Sequence, residues 1–264
     1  MNVLVCVRRV PDTSENEIAV NSAGTDIERE DLVYSINEWD NYAVEEALQI
    51  TARVGGEVTV VTVGDEDDEE VLRREMAMGA KQGVLLSDAV FLGSDASGIA
   101  TILKAYVKRD AFDLILTGVQ AEDGGAQVGG MLAALLDYPF ASLVTSVEVI
   151  DEKRLRVTRE IAGGSKEVSE IDLPCVLSIQ TGINEPRYVG MRGIRQVASA
   201  EIPIFSASDL DLNASLVGEN AARVKRLDYF VPEAAKNATI LSGEREEVAE
   251  KLIELMRKRG GLQV

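Results

Sequence analysis

The chain has 264 residues, 46% of them hydrophobic and 27% charged, with 45 acidic against 27 basic side chains and a formal net charge of −18. That is enough apolar material for one large domain, or one domain with an appendage. The surface is too negative to suit nucleic acid or an anionic membrane. No histidine is present, which excludes histidine triads, histidine general bases and histidine metal ligands. No catalytic residue and no metal cluster stands out. Cys6 and Cys175 lie inside apolar runs and are expected as buried core thiols, a usage that suits a reducing cytoplasm. No apolar run approaches the roughly 20 residues of a bilayer-spanning helix. The opening "MNVLVCVRRV" has neither a basic leader nor a small-residue cleavage site. A cytoplasmic location without membrane insertion is therefore expected.

In chain order, residues 2–10 read as a strand, followed by a polar connection to about Tyr34. Asn37 or Asp40 can cap a helix over 41–53, whose Ala43, Ala47, Leu48 and Ile50 form an apolar stripe. Gly55 and Gly56 stop it, and 57–63 is the next strand. Asp67 and Asp68 open a helix that ends at Gly79. A short strand at 83–87 precedes a helix over 98–109, with Ser97 as its cap. A buried strand at 112–118 leads through a glycine-bearing loop to a helix over about 126–137. This alternation predicts right-handed crossovers and a mostly parallel α/β sheet with helices on both faces.

After Tyr138-Pro139 three strand-like runs, the last of them 166–180, are joined by short turns and read as antiparallel hairpins extending the sheet or packing beside it. Residues 207–243 form a long connection, of a kind that wraps a partner or a neighbouring domain. An amphipathic helix follows Glu244. The organisation is thus an α/β domain over 1–206 and a C-terminal arm and helix over 207–264.

Two features carry chemistry. The loop "TGVQAEDGGAQVGG" (117–130) follows a buried strand and enters a helix, the place where parallel sheets bind ligands. Its glycines let backbone approach a ligand, and helix amides can hold a phosphate; a tight turn without ligand is the plainer reading. Asn37 to Asp40 and Gly64 lie along the same rim. The second feature is "GINEPRYVGMRGIRQ". Residues 182–200 carry three arginines against Glu185 alone in a chain whose span Pro11–Asp95 holds 21 acidic and 5 basic residues. Arginine, tyrosine and methionine in a loop with Pro186 suit contact with another surface, and a plain ordered surface loop is the alternative.

Five separated motifs, "YAVEEAL", "AMGAKQG", "VTREIAGG", "LPCVLSIQ" and "INEPRY", resemble the β subunit of electron-transfer flavoproteins (the FixA-type family) over about residues 1–206. The resemblance implies an adenine nucleotide α-hydrolase-like fold and a heterodimer with an α subunit that carries most of the FAD site. It implies AMP in the β subunit, held by Cys6 through its backbone, Asn37, Glu38, Trp39, Asp40, Val63, and the stretch from Gly118 through Gln120, Ala121, Asp123, Gly124, Gly125, Ala126 and Gln127 to Val128. Its recognition loop corresponds to 183–195. There Asn184, Glu185, Arg187 and Tyr188 dock the partner, and Met191 stands where a leucine commonly enters an acyl-CoA dehydrogenase. Glu160 matches a glutamate that pairs with an α-subunit arginine, and Thr13 stands where some relatives place a tyrosine over the flavin.

The stretches "VPDTSE" and "LLSDAVFLGSDASG" are more similar to the electron-bifurcating branch, in which a second FAD replaces AMP, whereas "INEPRY" is similar to the simple carriers. The loop "QAEDGGAQVG" is one residue shorter than the family pattern, which leaves the register of Asp123, Gly124 and Gly125 open. Three functions follow as expectations. The first is an electron carrier between an acyl-CoA dehydrogenase-type donor and a membrane or soluble quinone-linked oxidoreductase. The second is a bifurcating, NADH-oxidising subunit with its own FAD, and the third is a stand-alone ATP-binding protein of the stress-response type.

Overall fold

The apolar runs of the sequence become the strands of one sheet. The computed structural model describes residues 1–121, 125–232, 238 and 240–261. The chain forms two compact units, Met1–Ile18 with Glu28–Leu227, and Ala19–Ile27 with Asp228–Val264. In chain order the first unit contains β1 (Asn2–Cys6), β2 (Arg9–Pro11), β3 (Tyr34–Ile36), α1 (Glu38–Val54), β4 (Glu57–Val63), α2 (Glu69–Met78), β5 (Gln82–Leu86), α3 (Ala96–Val107), β6 (Leu114–Gly118) and α4 (Val128–Leu136). It continues with β7 (Phe140–Val149), β8 (Arg154–Ile161), β9 (Ser165–Asp172), β10 (Cys175–Ile179), α5 (Met191–Val197) and β11 (Ile204–Phe205).

The sheet order is β11-β5-β4-β1-β6-β10-β7-β8-β9. Every pairing from β11 to β7 is parallel, and β8 and β9 continue the sheet antiparallel. Strand periodicity sorts the core into two layers. Val3 and Val5 of β1 join Ala43, Ala47 and Leu72 on the α1/α2 face. Leu4 between them points the other way, into the layer of Ile102, Leu103 and Leu132 under α3 and α4. Because both faces are covered, the central strands are apolar at consecutive positions, as parallel strands should be.

The expected architecture is present, with local corrections. The strand expected over 2–10 breaks after Cys6. The Arg8 carbonyl accepts the Asn37 amide (2.8 Å), and β2 leaves the main sheet to pair with β3 in a separate ribbon. The helix placed over 98–109 begins earlier, because Asp95, not Ser97, caps it: Asp95 Oδ1 accepts the Gly98 amide at 3.0 Å. Asp65 likewise caps the turn before α2, with a reciprocal Asp68 contact. The run 166–180 is two strands, divided at the cis Leu173–Pro174 bond, where proline has no N–H for the ladder. β7, β8 and β9 extend the one sheet as antiparallel hairpins, but β10 departs from that expectation and inserts between β6 and β7, parallel to both. Cys6 and Cys175 are both free thiols.

The second unit holds α6 (Arg245–Lys258), with Glu246 and Glu247 in its first turn and Arg257 and Lys258 in its last, as the helix dipole favours. No residue of α6 is buried, and Leu252, Ile253 and Met256 are exposed. Among the described residues no helix is long and apolar enough to cross a membrane.

One polar group in the core runs against the pattern. Glu75 of α2 is 0% exposed, and neither carboxylate oxygen has a hydrogen-bond partner. Burial raises its pKa to about 8, opposed by Arg74 and reinforced by Asp40 and Glu45. A carboxyl neutral in the fold and ionised in the unfolded chain adds stability below its ordinary pKa of 4.5 and loses it as pH rises through about 8. Glu75→Gln is therefore expected to flatten the stability profile between pH 5 and 8 and to gain about 2–4 kcal/mol at pH 8. Urea unfolding at both pH values checks this, and an unchanged slope contradicts it.

Candidate functional site

The chain winds outward from β1 to β4 and β5, then returns through α3 to β6 on the other side of β1. This reversal at β1/β6 opens a crevice at the carboxyl ends of the strands, where open α/β sheets bind ligands. A cleft of about 730 Å³ occupies it, lined by Cys6, Asn37, Asp40, Val63, Gly118 and the first turn of α4. That volume falls within the roughly 300–1,000 Å³ of small-ligand sites.

Helix α1 sets one wall. Asp40 Oδ1 accepts the Gly118 amide at 2.9 Å, tying the helix start to the end of β6. Asn37 precedes α1 but makes no side-chain cap. Its Nδ2 instead donates to the Gln120 carbonyl (2.9 Å), and its buried Oδ1 has no partner. Burial lifts Asp40 to about 7, against hydrogen bonds from Asn37 and the Gly118 amide and the attraction of Arg8. Burial, and secondarily Asp40, push the Cys6 thiol up, so it stays protonated. It is no nucleophile.

Helix α4 sets the other wall. The Thr117 and Ser178 hydroxyls meet at 2.9 Å beneath its first turn. A Cβ on Gly129 would lie 2.3 Å from Ser178 Oγ and 2.8 Å from Thr117 Oγ1. Only glycine lets the helix seat there, bringing Gln127 and Val128 to the cleft. In the loop before it, Ala126 has φ 54, a left-handed conformation that costs a non-glycine residue about 1–2 kcal/mol.

Of the residues expected to bind nucleotide, Cys6, Asn37, Asp40, Val63, Gly118, Gln120, Ala121, Gly125, Ala126, Gln127 and Val128 all line this cleft. Glu38 is exposed, and Trp39 turns aside to donate its Nε1–H to Gln180 Oε1 (3.1 Å); neither is among the lining residues. Asp123 and Gly124 lie outside the described residues. Thr13, in the turn after β2, and Glu160, opposite Lys166 on β8, are exposed and away from the cleft lining. Sequence reading missed Arg8, Ser94, Asp95, Lys225 and Arg226, all of which line it. The basic run "RVKR" (223–226) was the available signal for the last two.

The contact segment is anchored to the same helix. Arg187 donates to both Glu45 oxygens, Nε to Oε2 at 2.7 Å and Nη2 to Oε1 at 3.0 Å. Asn184 Nδ2 donates to Glu46 Oε2 (3.0 Å) and the Tyr42 carbonyl (3.1 Å). Burial works to raise Glu45, but the Arg187 and Gln49 hydrogen bonds hold it below its ordinary value. Residues 191–197 correct the expected loop by forming α5 on top of α2. Arg73 Nη1 donates to the carbonyls of Val197 (3.1 Å) and Ala200 (3.0 Å), and Gly193 lets the helix approach the Ala77 carbonyl. Facing outward are Tyr188, Met191 and Ile194, at 93%, 64% and 45% exposure, an apolar patch. Glu185 is exposed beside it.

Among the described residues no cluster of three His, Cys, Asp or Glu side chains is placed to hold a metal ion. A doubly wound sheet with a cleft at its switch point defines an α/β domain of the ligand-binding type. Residues 25–210 match the family model of the electron transfer flavoprotein domain. The electron transfer flavoprotein subunit beta of Methylophilus methylotrophus is 34% identical, over 99% of this chain and 100% of that protein. The protein of the same name from Bacillus subtilis is 35% identical over 97% and 98%. The caffeyl-CoA reductase-Etf complex subunit CarD of Acetobacterium woodii is 35% identical over 98% and 99%. The chain belongs to the electron transfer flavoprotein family, on the side of its β subunits.

A methyl group at Gly118 would lie 2.4 Å from Asp40 Oδ1 and 2.6 Å from Trp39 Cβ. Gly118→Ala is expected to push α1 off the end of β6 at a cost of about 2–3 kcal/mol. Chemical denaturation checks the loss, and a variant within about 0.5 kcal/mol of wild type contradicts the tight approach.

Proposed function

We propose that the chain is the β subunit of a heterodimeric electron-transfer flavoprotein. It takes electrons from an acyl-CoA dehydrogenase-type donor onto FAD, held mainly by an α subunit, and passes them to a quinone-linked oxidoreductase. The observation that carries this reading is the pairing, on one helix, of a nucleotide-sized cleft with an anchored, outward-facing apolar patch. A carrier subunit needs cofactor placement and docking more than acid–base groups, in keeping with a chain free of histidine.

The residues at the cleft fit an adenine nucleotide. The orphaned Asn37 Oδ1 is available to accept from an adenine or ribose donor, and the first turn of α4 offers amides to a phosphate. FAD, when bound, supplies the redox chemistry; this chain's residues supply orientation. On the donor side, Tyr188 and Met191 enter the partner while Arg187 and Asn184 hold the segment to α1. The arginine of the contact segment thus serves this chain's own acidic helix. Thr13 and Glu160 are proposed to meet the α subunit's flavin domain, and the C-terminal arm to wrap that subunit.

A second reading, in which the cleft holds its own FAD and the subunit oxidises NADH, is favoured by the basic residues Arg8, Lys225 and Arg226 at the cleft. Counting flavins and adenylates released from the purified heterodimer separates the two. One FAD with one AMP supports the simple carrier, and two FAD supports the second reading. Neither flavin nor AMP overturns both.

Met191→Ala is expected to slow donor-dependent flavin reduction about tenfold while leaving the flavin bound, the loss of one interface anchor. Stopped-flow reduction at the wild-type rate removes the docking role. Glu45→Ala is expected to free Arg187 and loosen residues 184–187. Hydrogen exchange at the Arg187 amide, which donates to Glu45 Oε2 at 3.2 Å, reports it, and unchanged protection counts against the clamp.

A further inference from the structure

The chain has two cysteines and six methionines, and the fold treats their sulfur atoms unequally. Cys6 and Cys175 are free thiols. Burial pushes both up, Cys175 to about 12, so neither offers the thiolate that oxidants attack. Met76 and Met78 of α2 are buried in the core, and Met1 is half-buried. Met131 and Met256 are 36% and 40% exposed, whereas Met191 reaches 64%. The sulfur most open to a solvent-borne oxidant is therefore the one in the contact segment.

Its setting adds to that exposure. Met191 is the first residue of α5, directly after Gly190. Helical side chains lean toward the N-terminus of their helix, so this one leans over Gly190, where an added Cβ would meet nothing within 4 Å. Its backbone is nevertheless fixed, because Arg73 and the close approach of Gly193 to the Ala77 carbonyl seat α5 on α2. The thioether is thus held outward beside Ile194, its neighbour three residues along the helix, and Tyr188. In that form it is apolar and adapts to a facing surface. As a sulfoxide it is polar and chiral, and a partner's apolar surface would have to strip water from an oxygen without replacing its hydrogen bonds.

We propose that Met191 is a reversible modification site, at which hydrogen peroxide converts the thioether to the sulfoxide and so switches off donor docking. This rests on the docking role proposed above. In the oxidation the sulfur lone pair attacks one peroxide oxygen. The S–O bond forms as the O–O bond breaks, sulfur gives up two electrons, and the second oxygen leaves as water with both peroxide protons. Reversal consumes two thiols, which become a disulfide while the sulfoxide oxygen leaves as water.

The test starts from the purified heterodimer treated with hydrogen peroxide, with peptide mass spectrometry reading oxygen gain at each methionine. Met191 is expected to be oxidised ahead of Met131 and Met256. The treated heterodimer is then mixed with a butyryl-CoA dehydrogenase supplied with butyryl-CoA, and flavin reduction is followed by stopped flow. Reduction is expected to slow about tenfold with the flavin still bound, the loss of one interface anchor, and to recover after methionine sulfoxide reductase and dithiothreitol. M191L is compared with its own untreated rate, which peroxide is expected to leave unchanged. Oxidation of Met191 no faster than that of Met131 and Met256, or a slowing in M191L as large as in wild type, overturns the switch. So does complete oxidation of Met191 with no change in rate; a slow M191A then leaves docking standing, and a fast one overturns docking too. An untreated wild-type heterodimer that the dehydrogenase does not reduce overturns the docking role and the switch with it.

Discussion

The hydrogen bond from the Gly118 amide to Asp40 joins the first helix to the end of the strand on which the cleft is built. Much of the site depends on it. Helix α1 lies against β1, β4 and β6 through Ala43, Val44, Ala47 and Ile50, all at or near zero exposure, so its rotation and height are settled by packing. The Asp40 contact then fixes its first turn relative to the β6 end, and Asn37 reaches across to the Gln120 carbonyl from the same turn. Two turns further on, Glu45 and Glu46 grip Arg187 and Asn184. One rigid element thus sets the positions of both a wall of the cleft and the segment 184–187.

That arrangement places acids where water is scarce. Asp40, Glu45, Glu46 and Glu75 are all buried, but they are not equivalent. Glu45 has a bidentate arginine, which offsets its desolvation, and its pKa is lowered. Burial raises Glu46 despite Asn184 and Arg53, and Asp40 rises to about 7. Glu75 has no hydrogen-bond partner for its carboxylate and rises to about 8. Burial is the largest cause for each of the four, and only at Glu45 do the hydrogen bonds from Arg187 and Gln49 outweigh it. The charged pair of Glu45 and Arg187 holds residues 184–187 to α1, and the raised carboxyl of Glu75 lies where an uncompensated charge would be most damaging.

Most of the fold was legible in the sequence because its strands and helices announce themselves by period and by punctuation. Continuous runs such as "LILTG" read as buried parallel strands, and Gly55 and Gly79 end their helices as expected. Motif resemblance carried the site further than spacing did, gathering residues from Cys6 to Val128 on one cleft wall after another. What stayed illegible depended on contacts distant in sequence. Asp95 was passed over for Ser97 as the cap, and its second oxygen is committed to amides about 130 positions away, which no local pattern signals. The helical form of 191–197 was hidden for a similar reason. A seven-residue helix is too short to hold itself, and this one is held by Arg73 from α2.

The same reasoning explains why the arginines of the segment 182–200 are divided in placement. Arg187 is spent inside the chain, neutralising Glu45, so it adds little to any field seen by a partner. Arg192 and Arg195 remain on the exposed face of α5, beside Tyr188, Met191 and Ile194. A surface of this composition gains its affinity from the apolar side chains, which lose water on contact. In the docking role proposed above, the two arginines act mainly on encounter rate and partner choice. Under the proposed docking role, strength rests with the apolar Tyr188, Met191 and Ile194 and selectivity with Arg192 and Arg195, while the clamp of Arg187 on Glu45 holds their segment from inside the chain.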